Sequence, residues 1–349
     1  MLNTDKIEIS HEMLLLVGEL DTFKGAWHRM RGIGLKPLTE LRRAAGMESV
    51  SASVRMAGGQ LADGRVERLL EVKGELDQPA GEELDPMGYA HALAAILHGW
   101  EAMPVTEERI LRMHYAVMGF GRRAGKEAGE YKSWAKPLAA TDAEGRREGL
   151  TLQTADARKT PERMGELIAW LEREESAGKM HKLLLTGMFV ARLLAIHPFQ
   201  DGNGRMSRLL TTLMLLRFGY AYLPYSSLEA VLEKSGEDYP LALRRTQMTL
   251  GGDAPDWEPW LMFFLGALRE QKRRLAEKVI EARKLQANQT ELAAAILERV
   301  RKEGRVRMAE MLALTGAKRS TLRWHFRSLV REGRLEQHGT CKGTWYSAV

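Results

Sequence analysis

His197-Pro198-Phe199-Gln200-Asp201-Gly202-Asn203-Gly204-Arg205, followed at once by Met206-Ser207-Arg208, is the stretch on which the reading of this chain turns. Leucines at 209, 210, 213, 215 and 216 continue it at helical spacing, so the stretch opens a helix. A Gly/Asn-rich turn at a helix start points several backbone N–H groups at one place, where the helix dipole favours negative charge. Arg205 and Arg208, three apart, share a helix face and can grip phosphate oxygens with several donors each. Asp201 is a hard oxygen ligand of the kind that holds Mg²⁺ on a polyphosphate. His197 supplies an imidazole, a side chain able to take a proton at physiological pH. A helix end, a tight Asn-Gly turn and a solvated arginine face would explain these residues one at a time. Their co-occurrence points instead to a nucleoside triphosphate and a hydroxyl nucleophile.

On both sides of this stretch the pattern is helical. Apolar residues recur at helical spacing over 10–30, 88–102, 106–119, 161–175, 181–196 and 205–218, and period-two alternation is scarce before residue 250. Gly125 to Thr160 is the exception, polar and weakly periodic; such a long stretch inside a helical domain is either functional or a tolerated insertion. Trp257 and Trp260 are expected to pack in a core. A charged helix from about Leu268 to Leu285 has the character of a connector, with a boundary at Asn288-Gln289-Thr290 and Thr290 placed to cap the next helix.

The chain has 349 residues, enough for two or three domains, and 44% of them are hydrophobic. The early apolar run Met13–Val17 is far short of the roughly 20 residues a membrane span needs. Asp5, Lys6 and Glu8 precede it and no small-residue cleavage site follows, so no membrane contact, no secretory leader and a cytoplasmic location are expected. The single cysteine, Cys341, permits no internal disulfide. Residues 290–349 hold 12 Lys and Arg against 6 Asp and Glu, which accounts for the whole net charge of +6. A nucleic-acid partner therefore belongs to the C-terminus. There, Glu291–Lys302, Arg307–Leu314 and Lys318–Arg331 pattern as helices and Arg334–His338 and Thr344–Ala348 as short strands, the order of a winged helix-turn-helix. Leu322, Phe326 and Leu329 make the buried stripe of the third helix. Lys318, Arg319, Ser320, Thr321, Arg323, His325, Arg327 and Arg331 take its other positions. Arg319, Ser320, Thr321 and Arg323 are the expected DNA-reading residues, with Arg334 and Lys342 near phosphates. Winged helices also dock proteins, an alternative the sequence leaves open.

The segment from His197 to Arg205, with Arg208 after it, resembles the signature HPFx[D/E]GN[G/K]R of the Fic (filamentation induced by cAMP) family at every specified position. The resemblance covers about residues 50–270. It implies a mainly α fold, a Fic-type helical core with a small β-hairpin flap, followed here by the winged helix-turn-helix domain. The expected divisions are an N-terminal helical region at 1–100, a catalytic core at 101–270, a connector at 271–290 and the C-terminal domain at 291–349. The resemblance implies a protein adenylyltransferase that moves AMP from ATP to a hydroxyl side chain of a target protein, with Mg²⁺. His197 would deprotonate the hydroxyl and Asp201 would hold Mg²⁺. Gly202, Asn203 and Gly204 would cradle the phosphates with help from the Asn203 side chain. Arg205 would stabilise the leaving pyrophosphate, and Arg208 would bind the γ-phosphate. Gly129-Glu130-Tyr131-Lys132 looks like the start of the flap, marked by Gly129 and Tyr131. Relatives that phosphorylate their targets carry Ala at the position of Gly202 and Lys at that of Gly204; this chain has neither. Transfer of another nucleotide, a nucleotide-sensing DNA-binding regulator, and a homodimer stay open.

Many members of that family carry an inhibitory helix, [S/T]xxxE[G/N]. Ser53-Val54-Arg55-Met56-Ala57-Gly58 resembles it in spacing, but alanine stands at 57 where the family has glutamate. That glutamate pairs with the second motif arginine in the family. Ala57, present by nature or by substitution, implies an uninhibited enzyme with Arg208 free for the terminal phosphate.

Overall fold

Almost every residue from Leu183 to Leu194 is buried, and a helix that is apolar on all sides belongs at the centre of a bundle. In the computed structural model, which describes residues 7–30, 35–59, 84–119, 127–134, 138–141, 147–152, 154–340 and 343–349, that helix is the axis of the first of two units, Met1–Leu275. The elements in chain order are α1 (His11–Met30), α2 (Leu35–Met56), α3 (Leu84–Gly99), α4 (Glu107–Met118), β1 (Leu138–Thr141), β2 (Arg147–Leu152), α5 (Thr160–Ala177), α6 (Lys182–Ile196), α7 (Asn203–Arg217), α8 (Glu229–Lys234), α9 (Asp238–Gln247) and α10 (Glu258–Glu303). α5, α7 and α9 pack on α6, α3 and α4 pack on α7, and α2 packs on α3 and α8.

Local chemistry sets several of these boundaries. Thr106 caps α4, its hydroxyl accepting from Arg109 N at 3.2 Å. His181 caps α6 by accepting from Leu183 N at 3.3 Å. Pro161 sits in the first turn of α5, where its missing N–H costs nothing, and Gly178 closes that helix in the left-handed region. Trp257 and Trp260 are buried as expected, and Trp260 Nε1 donates to Gly187 O at 2.7 Å, fixing the start of α10 on α6. β1 and β2 form an antiparallel hairpin inside the polar stretch 125–160.

The second unit, Ala276–Val349, holds the rest of α10, α11 (Met308–Thr315), α12 (Arg319–Arg331), β3 (Leu335–His338) and β4 (Trp345–Ala348), the strands pairing antiparallel. Ile296, Val300, Val306, Met311, Leu322, Phe326, Leu329, Leu335 and Tyr346 make its core. No helix starts at Thr290, because α10 runs without a break from Glu258 to Glu303. An Asn-Gln-Thr run has capping capacity, but no glycine or proline lies between Ala267 and Glu303 to interrupt the ladder. His325 is buried, not on the solvent side of α12. It sits three residues after Leu322 and so shares the core stripe. Lys342 lies outside the described residues.

No helix among the described residues is long and apolar enough to cross a membrane.

Candidate functional site

α6 ends at His197, whose N–H donates to Leu193 O at 2.9 Å and whose φ is +52°. It is the one non-glycine residue with positive φ among the described residues. A β-substituted residue in the left-handed region costs roughly 1–2 kcal/mol and persists where its surroundings over-determine it, which happens at functional sites. The five residues that follow turn the chain into α7, capped by Gly202 at φ +80°. A Cβ there would meet Met118 Sδ at 3.0 Å and His114 Nε2 at 3.4 Å, so backbone conformation and space both demand glycine.

Asn203 holds the loop. Its Oδ1 accepts from Phe199 N at 3.0 Å and its Nδ2 donates to Phe199 O at 2.7 Å, all buried. The side chain is therefore spent on the loop and not on phosphates, a correction to the sequence reading. Two buried main-chain groups of Phe199 leave water and need partners, and a side-chain amide satisfies both at once. Phe199 itself is fully buried and stacks on His114 at 3.7 Å between centroids.

The helix ladder of α7 begins with Met206 N donating to Gly202 O at 2.9 Å. The N–H groups of Asn203 and Gly204 consequently stand at the open end of the helix, the arrangement that binds anions. Arg205 and Arg208 are both buried, 7% and 6% exposed, on the same helix. Asp201 sits in front of them with 58% of its side chain exposed. Its Oδ1 accepts from Gly202 N at 2.6 Å and its Oδ2 from Arg205 Nη2 at 3.4 Å. An exposed carboxylate beside buried cations and an open helix end leaves room for an anionic ligand, with the cations already desolvated.

Arg208 is not free. Its Nη2 donates to Ser53 Oγ at 2.8 Å, and its guanidinium lies 5.9 Å from the centre of the Tyr89 ring. Ser53, in the last turn of α2, is thus the residue of this segment that reaches the arginine. Ala57 and Gly58 follow the last residue of α2 in an exposed turn. Arg55 anchors that end of α2 by forking onto Glu233, with Nη2 to Oε2 at 2.8 Å, which holds the Glu233 carboxyl below its ordinary range. Behind Arg208, Tyr89 donates to the buried Glu229 at 2.7 Å, and Ser227 donates to the same carboxylate at 3.2 Å.

Two further residues tie the base of the hairpin to the loop. His114, on α4, accepts from Gly129 N at Nδ1 (3.0 Å), so its proton is on Nε2, which lies 3.1 Å from Asp201 O and donates to it. Burial lowers its pKa to about 4, with the nearby Arg205 adding to the effect. His114 escaped the sequence reading. The available signal was a histidine on the face of α4 that otherwise buries Ile110, Met113, Val117 and Met118. Tyr131 donates to Glu107 Oε1 at 2.9 Å and lies 5.9 Å from the Phe199 ring. Gly129, at φ +79°, has Tyr115 and Leu111 against the position of a Cβ.

His114 sets a pH dependence. The unfolded chain takes up its proton below about pH 6.5, whereas the folded chain keeps the ring neutral until about 4. Stability therefore falls as pH drops from 6.5 to 4, by up to roughly 3 kcal/mol, and His114 adds no dependence above pH 7. Denaturant midpoints at pH 7 and pH 4.5 check this: the acid loss is expected to shrink by about half or more in His114→Phe. An unchanged loss overturns the assignment.

Of the sequence-assigned residues, the structure gathers His197, Asp201, Gly202, Asn203, Gly204, Arg205 and Arg208 with Ser53, and sets Gly129 and Tyr131 against the same loop. In the second unit Arg319, Ser320 and Arg323 are exposed on α12 and Thr321 is half-buried.

α6 and α7 are joined by a short glycine-asparagine loop, and the segment before β1 is tied to it through Lys132 N and Pro198 O. Residues 104–215 match the model of the Fic/DOC family. Over 57 residues it is 46% identical to a protein adenylyltransferase Fic of Culex quinquefasciatus, covering 16% of this chain and 11% of that protein. The chain thus matches about a tenth of the length of the curated relatives. The fold is similar to a Fic family protein from Desulfovibrio desulfuricans, with TM-score 0.62, 23% identity and 99% and 98% of the two chains covered. It also resembles a Fic domain containing signaling protein from Bacteroides thetaiotaomicron, with TM-score 0.60, 22% identity and coverage of 77% of this chain and 98% of that one.

Proposed function

We propose that the first unit transfers AMP from ATP to a hydroxyl side chain of a target protein. The observation that carries this reading is His197 held at positive φ, one short loop from an open helix N-terminus flanked by Arg205 and Arg208. A base, an anion cradle and two desolvated cations are the parts that such a transfer needs, since it rests on positioning and on stabilising charge. His197 takes the proton of the incoming hydroxyl. The hydroxyl oxygen bonds to the α-phosphorus of ATP, the bond from that phosphorus to the bridging oxygen breaks, and pyrophosphate leaves. The N–H groups of Asn203 and Gly204 receive phosphate oxygens, Arg205 balances the charge on the leaving group, and Arg208 exchanges Ser53 for the γ-phosphate.

Asp201 is the side chain that would hold Mg²⁺. Its oxygens are exposed and hard, and among the described residues no three His, Cys, Asp or Glu side chains converge on one point. A metal here needs phosphate oxygens to complete its shell, as Mg²⁺ does. When bound with ATP, Mg²⁺ neutralises phosphate charge. Gly204 leaves Arg208 its space: a Cβ there would lie 3.3 Å from Arg208 Nη1.

The test is to follow label from α-³²P-ATP and γ-³²P-ATP into protein. Label from the α position alone is expected. Label from the γ position would replace this reading with phosphorylation.

A DNA-binding role for the second unit is supported by α12, which exposes Arg319, Ser320, Arg323, Arg327 and Arg331 beside Trp324, 46% exposed, with Lys318 just before it. Arginine reads guanine edges, and an aromatic face suits a thymine methyl. Anisotropy titrations with duplex DNA are expected to weaken in Arg319→Ala/Arg323→Ala and with added salt. Salt-independent or unchanged binding would point to protein docking.

A further inference from the structure

We propose that Lys132 is a positioning residue for His197: it ties both carbonyls that bracket the histidine to the base of the β1–β2 hairpin. The inference rests on His197 being the general base. Lys132 N donates to Pro198 O at 2.9 Å, and Lys132 Nζ donates to Ile196 O at 2.9 Å. Ile196 O belongs to the peptide unit entering His197, and Pro198 O lies one residue beyond the unit leaving it. One lysine therefore grips the chain on either side of the strained residue. A left-handed histidine is strained, and hydrogen bonds on both sides of it hold the chain in that conformation.

The same ammonium donates to Thr154 Oγ1 at 3.1 Å. Lys132 precedes β1 and Thr154 follows β2, so Nζ links the segments on either side of the hairpin to the carbonyl that enters His197. The side chain is built in and not a passing surface cation. Lys132 is 4% exposed, and burial pulls its ammonium down to about 8, with Asp156 the charged group opposing that shift. A lysine this buried is retained at a cost, which its three contacts offset.

Methionine at 132 keeps the main-chain bond to Pro198 and the aliphatic packing but loses both Nζ contacts. Arginine keeps a charge and donors in a different geometry. The test compares Lys132→Met and Lys132→Arg with wild type in kcat, KM for ATP, melting temperature and the imidazole NMR signals of His-labelled protein.

Lys132→Met is expected to lower kcat 10- to 100-fold and to change KM for ATP less than threefold, because α7 and not Lys132 holds the phosphates. Its melting temperature stays within a few degrees of wild type. The His197 ring signals shift or broaden while those of buried His114 stay in place. Lys132→Arg recovers kcat to within about fivefold of wild type. Wild-type kcat with unmoved His197 signals overturns the proposal, as does a parallel fall in kcat, ATP binding and melting temperature with those signals unmoved. A wild-type protein that transfers no AMP defeats the reading of the site, and the His197 signals of Lys132→Met then still decide the positioning claim.

Discussion

Replacing His197 with alanine is expected to lower AMP transfer by 10²- to 10⁴-fold, the range a positioned general base contributes, while MgATP affinity changes less than threefold. The two quantities separate because different elements supply them. Phosphate binding is assigned to the start of α7 and to Arg205 and Arg208, which follow the loop, whereas His197 is the C-terminal cap of α6. Alanine also leaves the loop's other supports in place: Asn203 still staples Phe199 by two buried hydrogen bonds, and His114 still holds Asp201 O. Isothermal titration with MgATP beside a transfer assay checks the pair. A loss below tenfold would place the base elsewhere, and a matching loss of ATP affinity would make His197 a loop-forming residue only.

Ala57→Glu is expected to reduce kcat/KM for ATP by about 10- to 100-fold. Arg208 already meets the end of α2 through Ser53 at 2.8 Å. That contact is between a cation and a neutral hydroxyl, which the fully charged γ-phosphate of the proposed substrate would displace. A glutamate four residues on, in the turn that follows α2, would offer Arg208 a charge-assisted pair worth about 1.5–3 kcal/mol, which corresponds to the stated loss. The Arg55–Glu233 fork fixes the end of α2, which limits the ordering the new carboxylate needs. Ser53→Ala, by contrast, changes kcat/KM less than threefold. Steady-state kinetics on the two variants decide the matter. Equal activity of Ala57→Glu and wild type would show that this segment does not govern Arg208.

The parts of this protein legible in its sequence are those written in local chemistry. His197 to Arg208 announces a helix end, a glycine turn and a helix start, and α6 and α7 have those ends. α11, α12 and both strands lie within a residue or two of their expected bounds, and the helix expected over 291–302 ends within one residue of its expected end, because Gly304, Gly316 and Gly333 punctuate them. The connector misled, because Thr290 can cap a helix and nothing local says that the preceding helix continues through it. α2 drew no periodic signal: Ser49, Ser51 and Ser53 are buried there, and Ser53 turns toward Arg208, 155 residues away in sequence.

The site divides in the same way. Residue types that bind phosphate stood out, whereas what each side chain touches did not. Asn203 looks like a phosphate ligand until Phe199 is seen to take both ends of its amide. Arg208 looks free until α2 is folded onto it. His114 and Lys132 serve the site from positions 83 and 65 residues before His197, joined to it by main-chain carbonyls that no side-chain pattern records.

Intact-mass spectrometry of the protein after incubation with Mg-ATP, run beside His197→Ala, tests the central claim most directly. The account predicts an AMP-sized mass increase in wild type and none in His197→Ala. No adduct on wild type, or the same adduct on both proteins, would contradict it.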